Sequence, residues 1–186
     1  YILNGAQVED CYRQAGYSSV EKALADLSTL ESALRSKISG AKAREKGKGE
    51  YIIINVDGAS RGNPGPSSAA AIAYYQNGKR AGTRTAKLGR KTNNEAEYSA
   101  VIEGLRLAGE LGWKKVLIRL DSELVYNQLK GNYRIKNSRL KKYYDLIREL
   151  MSGFDDVLFE RIDRLKNKEV DKLANMVLDG TTDKGE

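Results

Sequence analysis

The apolar run of residues 51–56, which leads into Asp57, constrains the fold of this chain more than any other segment. A nearly uninterrupted apolar run of this length is typical of a β-strand that is buried on both faces. Residues 116–120 repeat the arrangement before Asp121, and Ser122 then offers a cap for a following helix. Ligands bind at the carboxyl ends of strands in open α/β sheets, so we expect both aspartates at one binding edge.

A helix that begins near Asn93 carries two glutamates with different expected roles. Thr92 and Glu95 have the spacing of a capping box, in which the glutamate folds back on the first backbone amide of the helix. Helical offsets from Glu97 are apolar and those from Glu95 mostly polar, so we expect Glu97 to face the sheet and Glu95 to face water. A carboxylate on a packing face needs a compensating cation, which is either a metal ion or a buried Arg or Lys.

The sequence contains no histidine, which excludes the commonest acid/base side chain of proteins. Chemistry in this chain must therefore use carboxylates and a bound metal ion. Four acidic residues lie where the expected fold would bring them together: Asp57, Glu97, Asp121 and Asp171.

The order of strands and helices predicts an α/β fold with one mixed five-stranded sheet. Asn77 and Gly78 form the strongest available hairpin signal, so the strands on either side should be antiparallel. Later strands alternate with helices, which is typical of parallel pairing. The expected strands are residues 51–57, 67–76, 79–88, 115–120 and 156–162, and the expected helices are residues 93–111, 123–130, 137–152 and 167–178.

Four blocks of sequence resemble the type 1 ribonuclease H family, in its archaeal-type and bacterial forms. They occur in the family's order and spacing across roughly residues 51–180: residues 57–66, 92–97, 120–122 and 164–171. The resemblance implies a ribonuclease H-like mixed five-stranded sheet flanked by helices. It also implies an endonuclease that hydrolyses the RNA strand of RNA–DNA hybrids and leaves 5′-phosphate and 3′-hydroxyl ends.

The same resemblance implies that Asp57, Glu97, Asp121 and Asp171 are the catalytic metal ligands. The family uses two divalent ions, Mg²⁺ or Mn²⁺, to activate water and to stabilise the leaving oxygen. Oxygen ligands suit these hard ions, and a site without His or Cys disfavours zinc.

A glycine-rich turn after Asp57 has a backbone that can closely approach a sugar–phosphate strand. By resemblance, backbone groups near Ala59 and Ser60 would contact RNA 2′-hydroxyls and so distinguish RNA from DNA. The alternatives are an ordinary turn between two strands and, for the short polar residues of the turn and the helix start, simple capping. The substrate-binding candidates in this part are Gly58, Ala59, Ser60, Asn63, Thr92, Asn93 and Asn94.

Three more substrate-binding candidates lie later in the chain. Glu123 either approaches the minor groove or only occupies the first turn of a helix, where negative charge is favourable. Arg164 matches an arginine of archaeal-type members and is expected to contact a phosphate or to order its loop, in a region where many bacterial members carry histidine. Asn167 matches a family asparagine that serves as a helix cap and as a substrate contact.

The helix expected near residues 137–152 shows no sign of the basic protrusion that grips DNA in some members. Tyr143 and Tyr144 lie at helical spacing with leucines and isoleucine, so we expect them in the core or at its rim. The lysines of this helix are expected to form a solvated face rather than a dedicated site.

Charge and cysteine content agree with a nucleic-acid partner. The formal net charge is +7, which favours a polyanion that binds less tightly as salt increases. A single cysteine, Cys11, excludes an intramolecular disulfide and favours a reducing, cytoplasmic compartment. The sequence has no apolar run of 18 residues, so we expect no membrane span.

We predict three parts: a helical extension with a linker at residues 1–49, the catalytic domain at 50–180 and a tail at 181–186. In the extension, residues 18–21 form a capping box before an amphipathic helix that runs to about residue 43. A docked helical hairpin, a dimerisation helix and a nucleic-acid arm all fit this pattern. We expect self-association through residues 7–43, because one such helix cannot bury its apolar stripe alone.

Two other function classes remain at this stage. One is another nuclease of the same superfold, such as an integrase-like strand transferase or a junction resolvase, since fold does not fix the substrate. The turn at residues 57–66 argues against it, because it resembles ribonuclease H specifically. The other is a non-catalytic hybrid- or RNA-binding module, which would be expected to lack a carboxylate. Whether double-stranded RNA is also a partner is left open by the sequence.

Overall fold

A computed structural model describes residues 50–180 and, upstream, residues 18–19, 21–22, 24–26 and 28–29. The chain divides into two units, Tyr1–Lys42 and Ala43–Glu186. The expected tail at residues 181–186 and most of the predicted amphipathic stripe lie outside the described residues, so self-association stays a prediction.

The described upstream residues from 21 to 29 are helical. The Lys22 amide donates to the Ser19 hydroxyl oxygen at 3.3 Å, so the cap is Ser19, one residue later than Ser18 of the predicted capping box. Leu24, from the predicted apolar stripe, is exposed.

The second unit contains a five-stranded sheet in the order β3-β2-β1-β4-β5. Strand β1 pairs antiparallel with β2 and parallel with β4, and β5 is parallel to β4. This arrangement confirms the predicted mixed sheet. The strands are β1 (Ile52–Ser60), β2 (Gly65–Tyr74), β3 (Arg80–Lys91), β4 (Lys115–Leu120) and β5 (Asp156–Arg161).

Four helices and one short 3₁₀ turn accompany the sheet in residues 50–180. Each helix begins within one residue of its predicted start, and the 3₁₀ turn was not predicted. The helices are α1 (Asn93–Glu110), α2 (Glu123–Leu129), α3 (Ser138–Met151) and α4 (Lys168–Leu178), and the 3₁₀ turn is Arg164–Lys166.

The Asn77-Gly78 hairpin joins β2 to β3 as expected. The Tyr75 amide donates to the Lys79 carbonyl oxygen and the Gly78 amide to the Tyr75 carbonyl oxygen, both at 2.9 Å. Gly78 has a φ of 79°, a conformation that costs glycine little and other residues more. The turn chemistry therefore determines the antiparallel half of the sheet.

Helix α1 is buried on almost every side, because it lies between the sheet and α3. Even its expected polar face is covered: Tyr98 is fully buried, and its hydroxyl donates to Gln128 Oε1 at 2.9 Å. Glu95 is 6% exposed, so the expectation that it faces water is wrong. The capping box itself is confirmed, since Thr92 and Glu95 bond each other's backbone amides.

Two glycines allow α1 to approach β1 closely. A Cβ atom on Gly58 of β1 would lie 2.3 Å from the Ala96 carbonyl carbon, and one on Gly104 of α1 would lie 2.8 Å from Val56 Cγ1. Larger residues at either position would push the helix away from the strand. Gly58 is therefore a packing residue within a strand, and the expectation that it belongs to a turn is wrong.

Helix α4 covers the opposite face of the sheet. Val170, Leu173 and Ala174 pack there against Ala70 and Ile72 of β2. The Ser68 hydroxyl of β2 donates to the Ala174 carbonyl oxygen at 2.6 Å, which fixes α4 along the strand. In the part of the chain that the structure describes, no helix combines the length and the apolar character that a membrane crossing requires.

Candidate metal centre and cleft

Asp57 lies where β1 and β4 separate. Strand β1 continues to Ser60 along β2, so the expectation that the strand ends at Asp57 is wrong. The parallel pairing with β4 nevertheless stops at Asn55, opposite Arg119. The backbone on the β4 side of β1 is thus free of its partner strand at Asp57, whose side chain is 5% exposed.

Glu97 reaches the same place from helix α1. Its side chain is 8% exposed and accepts a hydrogen bond from the backbone of Gly58. This contact exists because Gly58 lets the start of α1 lie directly on β1. The prediction that Glu97 faces the sheet is confirmed.

Asp121 follows β4 immediately and completes a cluster of three carboxylates. Ser122 caps α2 as predicted, with its hydroxyl oxygen accepting from the Val125 amide at 3.5 Å. Carboxylate oxygens of Asp57, Glu97 and Asp121 lie within 4.8 Å of one another. Three separate elements, β1, α1 and the end of β4, thus deliver one acidic group each.

The cluster is electrostatically strained when it holds no cation. Burial, followed by the charges of Asp121 and Asp171, raises the pKa of Asp57 to about 7. The Arg164 guanidinium and the Gly58 backbone act in the opposite direction and offset only part of this effect.

The other two members of the cluster show the same trend. Burial, followed by the charges of Asp57 and Asp121, raises the pKa of Glu97 well above its ordinary value. Burial also raises the pKa of Asp121, although Arg164 and a hydrogen bond from Asn167 oppose the shift. A bound cation would strongly stabilise the ionised form of such carboxylates.

Asp171, on α4, lines the same cleft but stands outside the close cluster of three. Its Oδ1 atom lies 3.6 Å from a guanidinium nitrogen of Arg164, whose side chain is 81% exposed. Because Arg164 is so exposed, it can move away from Asp171 at low cost. The sequence therefore identified four carboxylates of one cleft, of which the structure brings three into direct proximity.

Asn167 joins the elements that carry the acidic residues. It is fully buried, and its Nδ2 atom donates to the Val56 carbonyl oxygen at 3.0 Å. Its own carbonyl oxygen accepts from the Asp171 amide at 3.1 Å. It occupies the N-cap position of α4 without a side-chain cap bond. The prediction that Asn167 caps the helix is therefore confirmed for its position, although its side chain makes no capping bond. Its burial contradicts a direct substrate contact.

The cleft around the carboxylates has a volume of about 540 Å³. Gly58, Ala59, Ser60 and Asn93 line it, together with the four predicted carboxylates. Six further lining residues were not predicted as site residues: Arg61, Ser122, Arg161, Ile162, Asp163 and Asn175.

Arg61 is the clearest of these omissions. Its guanidinium donates to Asn175 Oδ1 at 2.8 Å and to both carboxylate oxygens of Asp179, at 3.0 and 3.1 Å. These bonds tie the β1–β2 turn to α4. The partners lie more than a hundred residues downstream, so only an arginine beside a glycine-rich turn was visible in the sequence.

Three of the remaining candidates for substrate binding lie outside the cleft. The Asn93 amide donates to Asn63 Oδ1 at 3.1 Å, which joins the β1–β2 turn to the start of α1. Asn63, Thr92 and Asn94 line a small neighbouring cavity of about 120 Å³ rather than the cleft itself. Thr92 thus caps α1, and Asn63 bonds the first amide of that helix.

Glu123 occupies the first turn of α2 and is exposed. Its Oε2 atom accepts from Arg161 at 2.8 Å, and the Tyr133 hydroxyl lies 3.5 Å from Oε1. Glu123 thus has the helix-start position that favours negative charge, and its approach to the minor groove stays a prediction. Its ion pair also brings Arg161 to the rim of the cleft.

The donor set fits hard divalent cations. All the close donors are carboxylate oxygens, the group that Mg²⁺, Mn²⁺ and Ca²⁺ prefer. Burial, followed by neighbouring acidic charges, raises the pKa values of Asp57 and Glu97, so a bound cation would stabilise their charged forms. Within residues 50–180, the structure does not support the alternative of a buried Arg or Lys beside Glu97, because Arg164, the cation that lowers its pKa, is largely exposed.

Comparisons with known proteins concern the same part of the chain. A family profile described as "Reverse transcriptase-like" matches residues 55–177. Ribonuclease HI of Halobacterium salinarum is 39% identical over 132 residues, which cover 71% of this chain and 66% of that protein. "Bifunctional protein Rv2228c" of Mycobacterium tuberculosis is 36% identical over 129 residues, which cover 69% of this chain and 35% of that protein. The chain thus matches between a third and two-thirds of the length of these curated relatives.

Solved structures agree with this assignment of the fold. The crystal structure of RNase H1 from Halobacterium salinarum NRC-1 superimposes with a TM-score of 0.69 at 37% identity, covering 70% of this chain and 99% of that one. LC11-RNase H1, solved in complex with an RNA/DNA hybrid, gives a TM-score of 0.66 at 35% identity and covers 69% and 97% of the two chains.

Proposed function

Because the chain belongs to the ribonuclease H family, we propose that it is an endonuclease that hydrolyses the RNA strand of RNA–DNA hybrids. The products are a 5′-phosphate and a 3′-hydroxyl end. The names of its relatives and the hybrid bound by one structural neighbour support the substrate class.

One observation carries the proposal: the carboxylates of Asp57, Glu97 and Asp121, within 4.8 Å of one another, at the wall of an open cleft. Such a buried cluster is costly for the fold unless cations bind it. A cleft of about 540 Å³ gives a phosphodiester access to the cluster. A binding module would have no use for these charges, because they repel a phosphate backbone.

We infer that the metal ligands are Asp57, Glu97, Asp121 and Asp171, and that the cofactor is a pair of Mg²⁺ or Mn²⁺ ions. When bound, such ions supply an activated water nucleophile and stabilise the charge of the leaving oxygen. Asp171 belongs to this set because it lines the cleft and its charge acts on both Asp57 and Asp121.

The chain's own residues then hold and orient the hybrid. Ser60 and Asn93 line the cleft, where the Asn93 side-chain amide would bond phosphate oxygens. The Ser60 hydroxyl already donates to the Gly62 carbonyl oxygen, so Ser60 would contact a 2′-hydroxyl through its backbone. Arg161 and Arg164 place two cations on the wall beside the carboxylates. These cations offset the repulsion between the acidic cluster and the incoming phosphates.

Further residues of the β1–β2 turn and of the start of α1 also belong to the proposed substrate-binding set. Contacts of the backbone at Gly58 and Ala59 would read the RNA strand. Asn63, Thr92 and Asn94 line the small cavity next to the cleft and would bind phosphate oxygens. Glu123 acts indirectly in this proposal, by holding Arg161.

The test is cleavage of a labelled RNA–DNA hybrid beside single-stranded RNA, double-stranded RNA and double-stranded DNA. Each substrate is incubated with Mg²⁺, Mn²⁺ or chelator. We expect metal-dependent cutting of the RNA strand of the hybrid, and the double-stranded RNA arm decides whether that substrate is also used. No cleavage of any substrate by the folded protein would overturn the proposal.

A matched pair of variants locates the activity in the cluster. Asp121→Asn removes one ligand charge at nearly constant shape and should reduce cleavage by orders of magnitude. Asp145→Asn makes the same chemical change at an exposed position on α3, where it removes only the Lys141–Asp145 ion pair, and should leave cleavage unchanged. Full activity of Asp121→Asn would exclude that residue as a ligand.

Two further parts of the proposal concern the whole chain. A cytoplasmic location is supported by the single cysteine of this sequence. Self-association through residues 7–43 is supported by their amphipathic sequence pattern. A monomeric mass by light scattering at micromolar concentration would contradict self-association.

A further inference from the structure

A second concave surface of the catalytic domain combines three cations with an aromatic ring. It has a volume of about 290 Å³ and lies between the end of β3, the start of α1 and α3. We call it the basic cavity, and its lining residues are Lys91, Glu95, Arg139, Lys142, Tyr143 and Leu146.

The positive charge of the basic cavity is largely uncompensated. Among its lining residues in the described part of the chain, Glu95 is the single acid. Its Oε2 atom already accepts from the Thr92 amide at 2.9 Å and from the Thr92 hydroxyl at 2.8 Å. Three cations thus face one carboxylate that the helix cap has engaged, which favours an anionic ligand.

The cavity wall also has an ordered aromatic side. The Lys91 ammonium lies 5.8 Å from the centroid of the Tyr143 ring, and that ring packs 6.3 Å from the ring of buried Tyr98. Tyr143 is thereby fixed to the core, and it holds Lys91 beside it. Lys142, the next residue along α3, is exposed and free to turn toward a ligand.

The basic cavity continues the surface that begins at the carboxylates. Asn93 lines the cleft and bonds Asn63, which lines the small neighbouring cavity. That cavity in turn shares Glu95 and Arg139 with the basic cavity. Neighbouring residues therefore link the three concave surfaces in series, an arrangement that suits a polymeric ligand.

We propose that the basic cavity binds a backbone phosphodiester of the hybrid at a distance from the scissile bond, with Tyr143 against the adjacent sugar. The proposal rests on the function proposed above. The sequence alone favoured a solvated face for the α3 lysines, because it could not show that Lys142 shares a cavity with Lys91 and Arg139. A phosphodiester fits a cavity that three cations line, and this cavity shares two residues with the small cavity next to the cleft.

The decisive comparison is Lys142→Gln against Lys141→Gln. Both variants remove one positive charge from adjacent exposed positions of α3, so they change the net charge equally. Lys141 pairs with Asp145 and lies over the Tyr144 ring, outside the basic cavity. A difference between the variants therefore reports the cavity rather than the overall charge of the protein. Lys91→Gln is a second test of the same cavity.

Affinity for a long hybrid is measured over a salt series with Mg²⁺ present, each variant being combined with Asp121→Asn to prevent cleavage. Lys142→Gln and Lys91→Gln should each weaken binding several-fold and reduce the slope of log K against log salt by about one. Lys141→Gln should stay within about two-fold of the parent. Thermal unfolding confirms that every variant is folded.

Hybrids shortened on either the RNA or the DNA strand identify the strand that is bound. The Lys142→Gln effect should vanish when that strand no longer reaches the cavity. If Lys142→Gln and Lys141→Gln bind all hybrids equally while the unsubstituted protein cleaves normally, the basic cavity proposal is wrong and the proposed function stands. If the unsubstituted protein neither binds nor cleaves hybrid, both are wrong.

Discussion

The substitution Asp57→Asn should stabilise the metal-free protein, although it removes a metal ligand. Burial and the charges of Asp121 and Asp171 raise the pKa of Asp57 from 3.8 to about 7 in the folded state. A carboxyl group with a raised folded-state pKa favours folding below its unfolded-state pKa. It costs stability as the pH rises from about 4 toward 7 and above.

The size of the effect follows from that difference. Raising a pKa from 3.8 to about 7 corresponds to about 4 kcal/mol at pH values above both. Asparagine keeps the shape of the side chain and carries no charge, so the variant avoids this cost. In the unsubstituted protein, the side chains of Glu97 and Asp121 can move away from Asp57, which lowers this cost and so reduces the stabilisation expected from Asp57→Asn. We expect Asp57→Asn to raise the free energy of unfolding by about 2–4 kcal/mol at pH 8 and to change it little at pH 4.

Urea unfolding with chelator at pH 4, 6 and 8 measures this prediction. Asp145→Asn is the control, because its side chain is 56% exposed and its ion pair contributes little. It should change the free energy of unfolding by less than about 0.5 kcal/mol at any pH. A difference between Asp57→Asn and the unsubstituted protein that is absent at pH 8, or equal at pH 4 and pH 8, would refute the electrostatic reasoning.

Three further predictions follow from the same cluster. Mg²⁺ should raise the free energy of unfolding by roughly 2.7 kcal/mol at a hundred times its Kd. Calorimetry should show a far smaller stabilisation by Mg²⁺ in Asp121→Asn, and an equal stabilisation would contradict a metal site at the cluster. Gly58→Ala should lower the free energy of unfolding by roughly 1–3 kcal/mol and abolish most of the cleavage activity, because the new Cβ atom would lie 2.3 Å from the Ala96 backbone. Full activity would show that α1 need not touch β1. Asn167→Ala should lower the free energy of unfolding by roughly 1–3 kcal/mol and also lower kcat, because it removes the hydrogen bond to the Val56 carbonyl oxygen. An unchanged kcat and an unchanged stability would contradict a positioning role.

The sequence predicted the sheet and the acidic residues because their signals are local. Residues 51–57 and 116–121 show apolar runs that end on aspartate, and the Asn77-Gly78 turn predicts its own hairpin. Thr92 and Glu95 are three residues apart, so their capping box was also visible. Each of these features involves only neighbours along the chain.

Features that depend on distant contacts were missed or misassigned. Glu95 was expected in water because its own helix face is polar, but α3 covers that face from another part of the chain. Asn167 occupies the expected N-cap position of α4, but its side chain bonds Val56, more than a hundred residues earlier, instead of facing substrate. The tie between Arg61 and Asp179 is equally remote in sequence. Helical and strand periodicity describes one element at a time and contains no information about what packs against it.

The close packing of α1 on β1 links the stability of the fold to its chemistry. Gly58 and Gly104 bring the helix near enough for Glu97 to share its surroundings with Asp57. Burial raises the pKa values of both carboxyl groups, and the charge of Asp57 raises the pKa of Glu97 further. The apolar core under α1 supplies the free energy that holds the charges together, since Ile54, Val56 and Val101 are fully buried there. A substitution that weakens this core without moving the cluster should leave the stabilisation by Mg²⁺ unchanged in kcal/mol, because that stabilisation depends only on the ion concentration relative to its Kd. The bound ion then contributes a greater share of the remaining stability.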